Sequence, residues 1–107
     1  MSKINFERIL IIGMGLIGSS LARAIKEYRI SNKVYGLDTN ITNLDKCIDL
    51  SIIVKGENKI NNFSEQFDLI LICTPLGEYK KIFKILDLYI NKDTIVTDVG
   101  STKASVI

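Results

Sequence analysis

Hydrophobic positions along this chain follow two alternating rhythms. "RILIIG" (8–13) is a continuous apolar run closed by Gly13, the pattern of a strand buried on both faces. From Leu16 the spacing becomes helical. Ile17, Leu21, Ala24, Ile25 and Tyr28 share one face, with Arg23, Lys26 and Glu27 opposite. "NKVYGLD" (32–38) reads as a second strand, and Asn40 then stands where it can cap a short helix carrying Leu44, Cys47 and Ile48 inward. "SIIV" (51–54) predicts a third, short strand, and the polar, Asn-rich stretch 55–67 a loop with at most a broken helical turn. "DLILIC" (68–73) is the clearest buried strand, ended by Thr74 and Pro75. A helix over about 77–90 follows, with Tyr79, Ile82, Phe83, Leu86 and Ile90 inside and Lys80, Lys81, Lys84 and Asp87 outside. "DTIVTDVG" (93–100) is the fifth strand.

Strands separated by helices require right-handed parallel crossovers, so the fold class is α/β, a doubly wound parallel sheet. Its expected strand order is 3-2-1-4-5, with the switch point between strands 1 and 4. No repeat or linker divides the chain, and 107 residues form a single small domain. A chain of this size can bury roughly two thirds of the surface that its unfolded form exposes.

Composition narrows the functional classes. Fourteen basic against twelve acidic residues leave a net charge of +2, too balanced for an electrostatic nucleic-acid footprint. Cys47 and Cys73 lie far apart, and with no histidine in the chain they form no metal-ligand spacing. They read as buried, reduced thiols. Lys3, Arg8 and the apolar run after them imitate a signal peptide, but Glu7 and three regularly spaced glycines argue against one. No apolar run approaches the ~20 residues needed to span a bilayer. A cytoplasmic protein that binds neither membrane nor nucleic acid is expected.

"GMGLIG" places Gly13, Gly15 and Gly18 in G-x-G-x-x-G spacing, closing a strand and opening a helix. Gly13 suits a tight turn, Gly15 the approach of a pyrophosphate, and Gly18 close helix–strand packing. The helix N-terminus, with Leu16 and Ile17 in its first turn, then favours the phosphate charge. A glycine turn without a ligand is the plainer alternative. Asp38 lies twenty residues past Gly18, at the end of strand two. A carboxylate there can accept both adenosine ribose hydroxyls and repel a 2′-phosphate, which favours NAD over NADP. Asp38 can instead help to cap the next helix. Across the switch point, the backbone of Cys73, Thr74 and Pro75 would lie beside the nicotinamide half. Pro75 equally suits the start of a helix.

The tail offers Asp98, Gly100, Ser101 and Lys103 after strand five, at the carboxyl edge where such folds place ligands. Ser101 is also a natural helix cap. Alcohol oxidation calls for a group that accepts the hydroxyl proton near neutrality, usually histidine. Asp98 or Lys103 would need a large pKa shift to do so. The residues thus outline a cofactor platform without a complete catalytic set.

"GMGLIGSSLARAIK", "LICTP" and "VTDVGSTK", in this order, resemble the N-terminal part of prephenate and arogenate dehydrogenases, and the resemblance runs over essentially the whole chain. It implies a Rossmann-type domain over 1–107, truncated after strand five and lacking the family's C-terminal helical domain. It also implies oxidative decarboxylation of prephenate to 4-hydroxyphenylpyruvate, in tyrosine biosynthesis, with NAD. Carried over, Gly13, Gly15, Leu16, Ile17 and Gly18 would hold the pyrophosphate and Asp38 the ribose. Cys73, Thr74, Pro75 and Gly100 would border the nicotinamide. Ser101 matches the family serine near the reacting hydroxyl and the catalytic histidine. That histidine follows in a His-Pro motif after one more strand, and the helical domain supplies a substrate-binding arginine and the dimer contact. Ser19 departs from the family, where glycine is common. The chain by itself is therefore expected to be inactive. A free-standing nucleotide-binding module and a fragment of another NAD(P)-dependent oxidoreductase are the alternative readings.

Overall fold

Five short strands form a single parallel sheet in the order β3-β2-β1-β4-β5, the order expected of a Rossmann-type fold. The structure, a computed structural model, describes residues 6–31, 33–73, 90 and 93–98. In chain order the elements are β1 (Ile9–Ile12), α1 (Leu16–Glu27), β2 (Val34–Leu37), α2 (Ile41–Asp49), β3 (Lys55–Glu57), a 3-10 turn (Ile60–Asn62), β4 (Leu69–Ile72) and β5 (Ile95–Asp98). The helix expected over 77–90 lies outside the described residues, Ile90 excepted.

β1 is the central strand. All four of its side chains are buried, Ile9 and Ile11 on one face and Leu10 and Ile12 on the other. Each such burial contributes about 1.5–3 kcal/mol, so the uninterrupted apolar run places this strand in the middle. It pairs in parallel with β2 (Ile12↔Leu37) and with β4 (Ile12↔Ile72), and β4 pairs with β5 (Ile72↔Asp98). The carboxyl ends of β1, β2, β4 and β5 therefore share one edge, with β2 and β5 on opposite sides of the β1–β4 pair.

One face of the sheet is covered by α1 and α2. α1 buries Gly18, Ala22 and Ile25, of which only Ile25 belongs to the stripe that its periodicity points to. Ile17, Leu21 and Ala24 are half-buried, and Tyr28, expected inside, is 66% exposed at the helix end. The physical reason is close approach: small residues at 18 and 22 bring the helix axis down onto β1 and rotate the rest of that stripe outward. In α2, Asn40 caps the helix as expected by accepting the Asn43 N–H, and Leu44 and Cys47 are buried. Ile48, expected inside, is exposed.

Both helices end on a residue in the left-handed region, Arg29 (φ 55) and Ser51 (φ 60). The Ile30 N–H returns to the Ile25 carbonyl and the Ile52 N–H to the Cys47 carbonyl, which is the Schellman arrangement. This turn corrects the third strand. Because the chain is still leaving α2 at Ile52, sheet bonding begins only when the Val54 N–H donates to the Val34 carbonyl, and pairing starts at Tyr35↔Lys55. Ile52 and Ile53 are buried as expected, but as a plug between α2 and the sheet and not as strand.

The stretch 55–67 is more than the polar loop expected. Besides β3 and the 3-10 turn it supplies Ile60, Phe63 and Phe67 to the core of the second face, with Leu10, Ile12, Tyr35, Ile70 and Ile72. Tyr35, Phe63 and Phe67 meet edge to face, with ring centroids 5.3–6.0 Å apart, a preferred aromatic geometry. Three apolar residues scattered among polar ones carry no periodicity, so the pattern concealed their burial.

Candidate functional site

The turn after β1 is built by three glycines, and each has a different reason to lack a side chain. Gly13 sits at φ 96, a left-handed conformation that costs side-chain-bearing residues about 1–2 kcal/mol. Its N–H donates to the Leu37 carbonyl at 2.7 Å, which ties the turn to β2. A Cβ on Gly18 would collide with the Gly13 carbonyl oxygen and stand 3.3 Å from Ile11 Cγ2. Hydrogen there is what lets α1 rest on the turn. A Cβ on Gly15 would meet no atom of the described residues within 4 Å. Their packing makes no demand for glycine at 15.

Gly15 is the N-cap residue of α1, and among the described residues no side chain caps this helix. The first turn holds no acidic residue of its own, so the positive end of the helix dipole is met from outside the helix, where the Asp38 carboxylate takes the Met14 N–H just before it. The Ser19 hydroxyl donates back to the Gly15 carbonyl at 2.8 Å, so it takes up a helix carbonyl and not an N–H of the first turn. Leu16 is 86% exposed on the same turn, and Ile17 is half-buried.

Met14 and Asp38 lock the turn in place. The Met14 N–H donates to Asp38 Oδ2 at 2.8 Å. Its side chain is buried over β2, filling the space where a Gly36 Cβ would come within 2.9 Å of Met14 Cγ. Asp38 Oδ2 also accepts from Asn43 Nδ2 at 3.2 Å, and Oδ1 accepts the Asn40 N–H at 2.9 Å. The carboxylate thus joins the glycine turn, the end of β2 and the first turn of α2. Helix α2 is capped by Asn40, so Asp38 supports the cap residue without being the cap.

Across the switch point, the half-buried Cys73 follows β4 and donates its N–H to the Ile12 carbonyl at 2.8 Å. Gly13, Asp38 and Cys73 are therefore brought to one edge. Thr74, Pro75, Gly100, Ser101 and Lys103 lie outside the described residues. Asp98 ends β5 at the same edge, in register with Ile72. Burial pushes the Cys47 thiol above its ordinary pKa, Arg23 pulls it down and Asp38 pushes it up, so the thiol under α2 stays protonated near neutrality. Among the described residues no three of His, Cys, Asp and Glu gather as a metal site, and no helix is long and apolar enough to cross a membrane.

Sequence reasoning missed two contributors, Met14 and Asn43. Met14 occupies the variable position between two glycines, where the spacing rule asks for nothing. Asn43 carried one usable signal, its place three residues after the cap Asn40 in the first turn of α2.

Residues 21–107 match a family model described as the nucleotide-binding domain of prephenate dehydrogenase. A cyclohexadienyl dehydrogenase of Zymomonas mobilis is 35% identical over 102 residues, covering 95% of this chain and 35% of that protein. A prephenate dehydrogenase of Lactococcus lactis is 33% identical over 107 residues, covering 94% of this chain and 28% of its own length. Among solved structures, prephenate dehydrogenase from A. aeolicus, in complex with hydroxyphenyl propionate and NAD+, superposes with a TM-score of 0.82 at 30% identity. That match covers 91% of this chain and 34% of the other. The chain spans about a third of the length of these relatives.

Proposed function

The chain belongs to the prephenate dehydrogenase family, whose nucleotide-binding domain its residues 21–107 match, and from that premise we propose that it binds NAD across the carboxyl edge of its sheet. The observation that carries this reading is the open space over Gly15, beside a helix N-terminus that no described side chain caps. A glycine that the packing of the described residues does not require, at a helix N-terminus without a side-chain cap among them, suits a pyrophosphate resting on the backbone. The A. aeolicus structure described above is an NAD+ complex. Here Gly13, Gly15, Leu16, Ile17 and Gly18 would cradle the pyrophosphate. Asp38 would face the adenosine ribose, and its negative charge disfavours a 2′-phosphate. Cys73, Thr74, Pro75 and Gly100 would border the nicotinamide.

When bound, NAD supplies the acceptor for a hydride. The substrate class is prephenate or a close analogue, taken from the relatives' names, and the reaction is the oxidative decarboxylation that leads to tyrosine. Ser101 would stand near the reacting hydroxyl. These 107 residues contain no histidine, the usual acceptor of that proton. We therefore expect the chain alone to form no NADH from prephenate and NAD.

Paired titrations with NADH and NADPH, followed by nicotinamide fluorescence, test the binding step. Saturable NADH binding, tighter than NADPH binding, is the expected result. Binding of neither nucleotide, or a preference for NADPH, overturns the reading.

A further inference from the structure

Asp38 has fewer acceptor positions to offer a ligand than its place in the sequence suggests. A carboxylate has about four lone-pair positions on its two oxygens. Three are engaged: Oδ2 by the Met14 N–H at 2.8 Å and by Asn43 Nδ2 at 3.2 Å, and Oδ1 by the Asn40 N–H at 2.9 Å. Two of these donors are backbone groups of the glycine turn and of the chain entering α2, so a ligand cannot displace them without moving the turn. One acceptor position remains, on Oδ1. A vicinal diol presents two hydroxyl donors, and Asp38 can take only one of them.

Asn43 is placed to take the other. Because both oxygens of Asp38 can only accept, the atom of Asn43 facing Oδ2 must be its nitrogen, and its own carbonyl Oδ1 is turned away from that contact. The side chain is half-buried, and the helix cap at this position uses the Asn43 backbone N–H and leaves the amide group free for this role. We infer that the adenosine ribose is recognised by a pair: Asp38 Oδ1 accepts one hydroxyl, and Asn43 Oδ1 accepts its neighbour while its amide nitrogen holds the carboxylate in place. This assignment rests on the NAD reading above. It makes Asn43 a specificity-determining residue, since a 2′-phosphate would meet an acceptor oxygen at both positions.

The test is a cycle between the side chain and the ligand's hydroxyls. Wild-type protein and Asn43→Leu, which keeps the bulk and removes the donor and the acceptor, are titrated with NADH and with its adenosine 2′-deoxy and 3′-deoxy analogues. Loss of one neutral hydrogen bond with its held partner predicts NADH binding weaker by about 5- to 10-fold in the variant, with a smaller change for NADPH. One deoxy substitution costs the variant nothing further, and the other costs it what it costs the wild type. Asn43→Ala is the second variant, with the best helix former at that position, and thermal melts verify that both fold. Equal NADH binding by wild type and variant overturns the pairing. So does a variant for which both deoxy substitutions keep their full cost, or for which neither has any. Wild-type protein that binds neither nucleotide overturns the NAD reading itself, which is a separate and recognisable failure.

Discussion

Replacing Gly15 and Gly18 in turn by alanine separates a glycine that the protein needs from a glycine that only a ligand would need. At Gly18 the new methyl would coincide with the Gly13 carbonyl oxygen and crowd Ile11 Cγ2 at 3.3 Å. The obstacle is backbone, which cannot swing aside as a flexible side chain can. Helix α1 must then lift away from β1, at an overpacking cost of about 3 kcal/mol. For a domain of this size that lowers the melting temperature by roughly 12 °C, at about 4 °C per kcal/mol.

At Gly15 the same methyl meets no described residue within 4 Å. Alanine is a poorer N-cap than glycine by roughly 0.5–1 kcal/mol. It also restricts the unfolded chain, which returns about 0.4–1 kcal/mol, so the net change should stay within about 0.5 kcal/mol. Binding should show the reverse order. A methyl in the path of a pyrophosphate costs about 1–3 kcal/mol, which is about tenfold in NADH affinity for each 1.4 kcal/mol. Melting curves and nicotinamide fluorescence titrations on both variants give the comparison. A Gly15→Ala protein that melts as early as Gly18→Ala refutes the packing argument. One that binds NADH as the wild type does refutes the passage of the pyrophosphate over this residue.

Two further predictions concern stability. Arg29→Gly and Ser51→Gly each relieve a left-handed residue at a helix end and should stabilise the fold by about 0.5–1 kcal/mol, read as a higher urea midpoint; a lower midpoint refutes the assignment. Cys47 has its thiol pKa raised first by burial, with Arg23 opposing and Asp38 adding. A folded pKa above the unfolded one contributes stability at lower pH that is lost as pH rises through the folded value, so the decline should begin above about pH 8.5. Urea midpoints between pH 7 and 10 should therefore fall less in Cys47→Ala than in the wild type, and an identical fall refutes the linkage.

The amino-acid sequence by itself determined the fold class, the strand order and the position of the glycine turn. Those follow from local signals: unbroken apolar runs for strands buried on both faces, a 3.6-residue period for the helices, and glycines where a strand turns into a helix. Tertiary structure decided what periodicity cannot encode. The third strand moved to 55–57 because the Schellman turn after α2 occupies the residues that looked like strand. Tyr28 and Ile48 are exposed because α1 rests on Gly18, Ala22 and Ile25 and α2 on Leu44 and Cys47, a choice of contact face that periodicity alone does not fix. Phe63 and Phe67 became core because Tyr35 stands opposite them. In the candidate site, Gly13, Gly15, Gly18 and Asp38 were legible from spacing alone. Met14 and Asn43 were not, because their part depends on where Asp38 points its two oxygens. That direction is set only when the turn after β1, the end of β2 and the first turn of α2 meet in space.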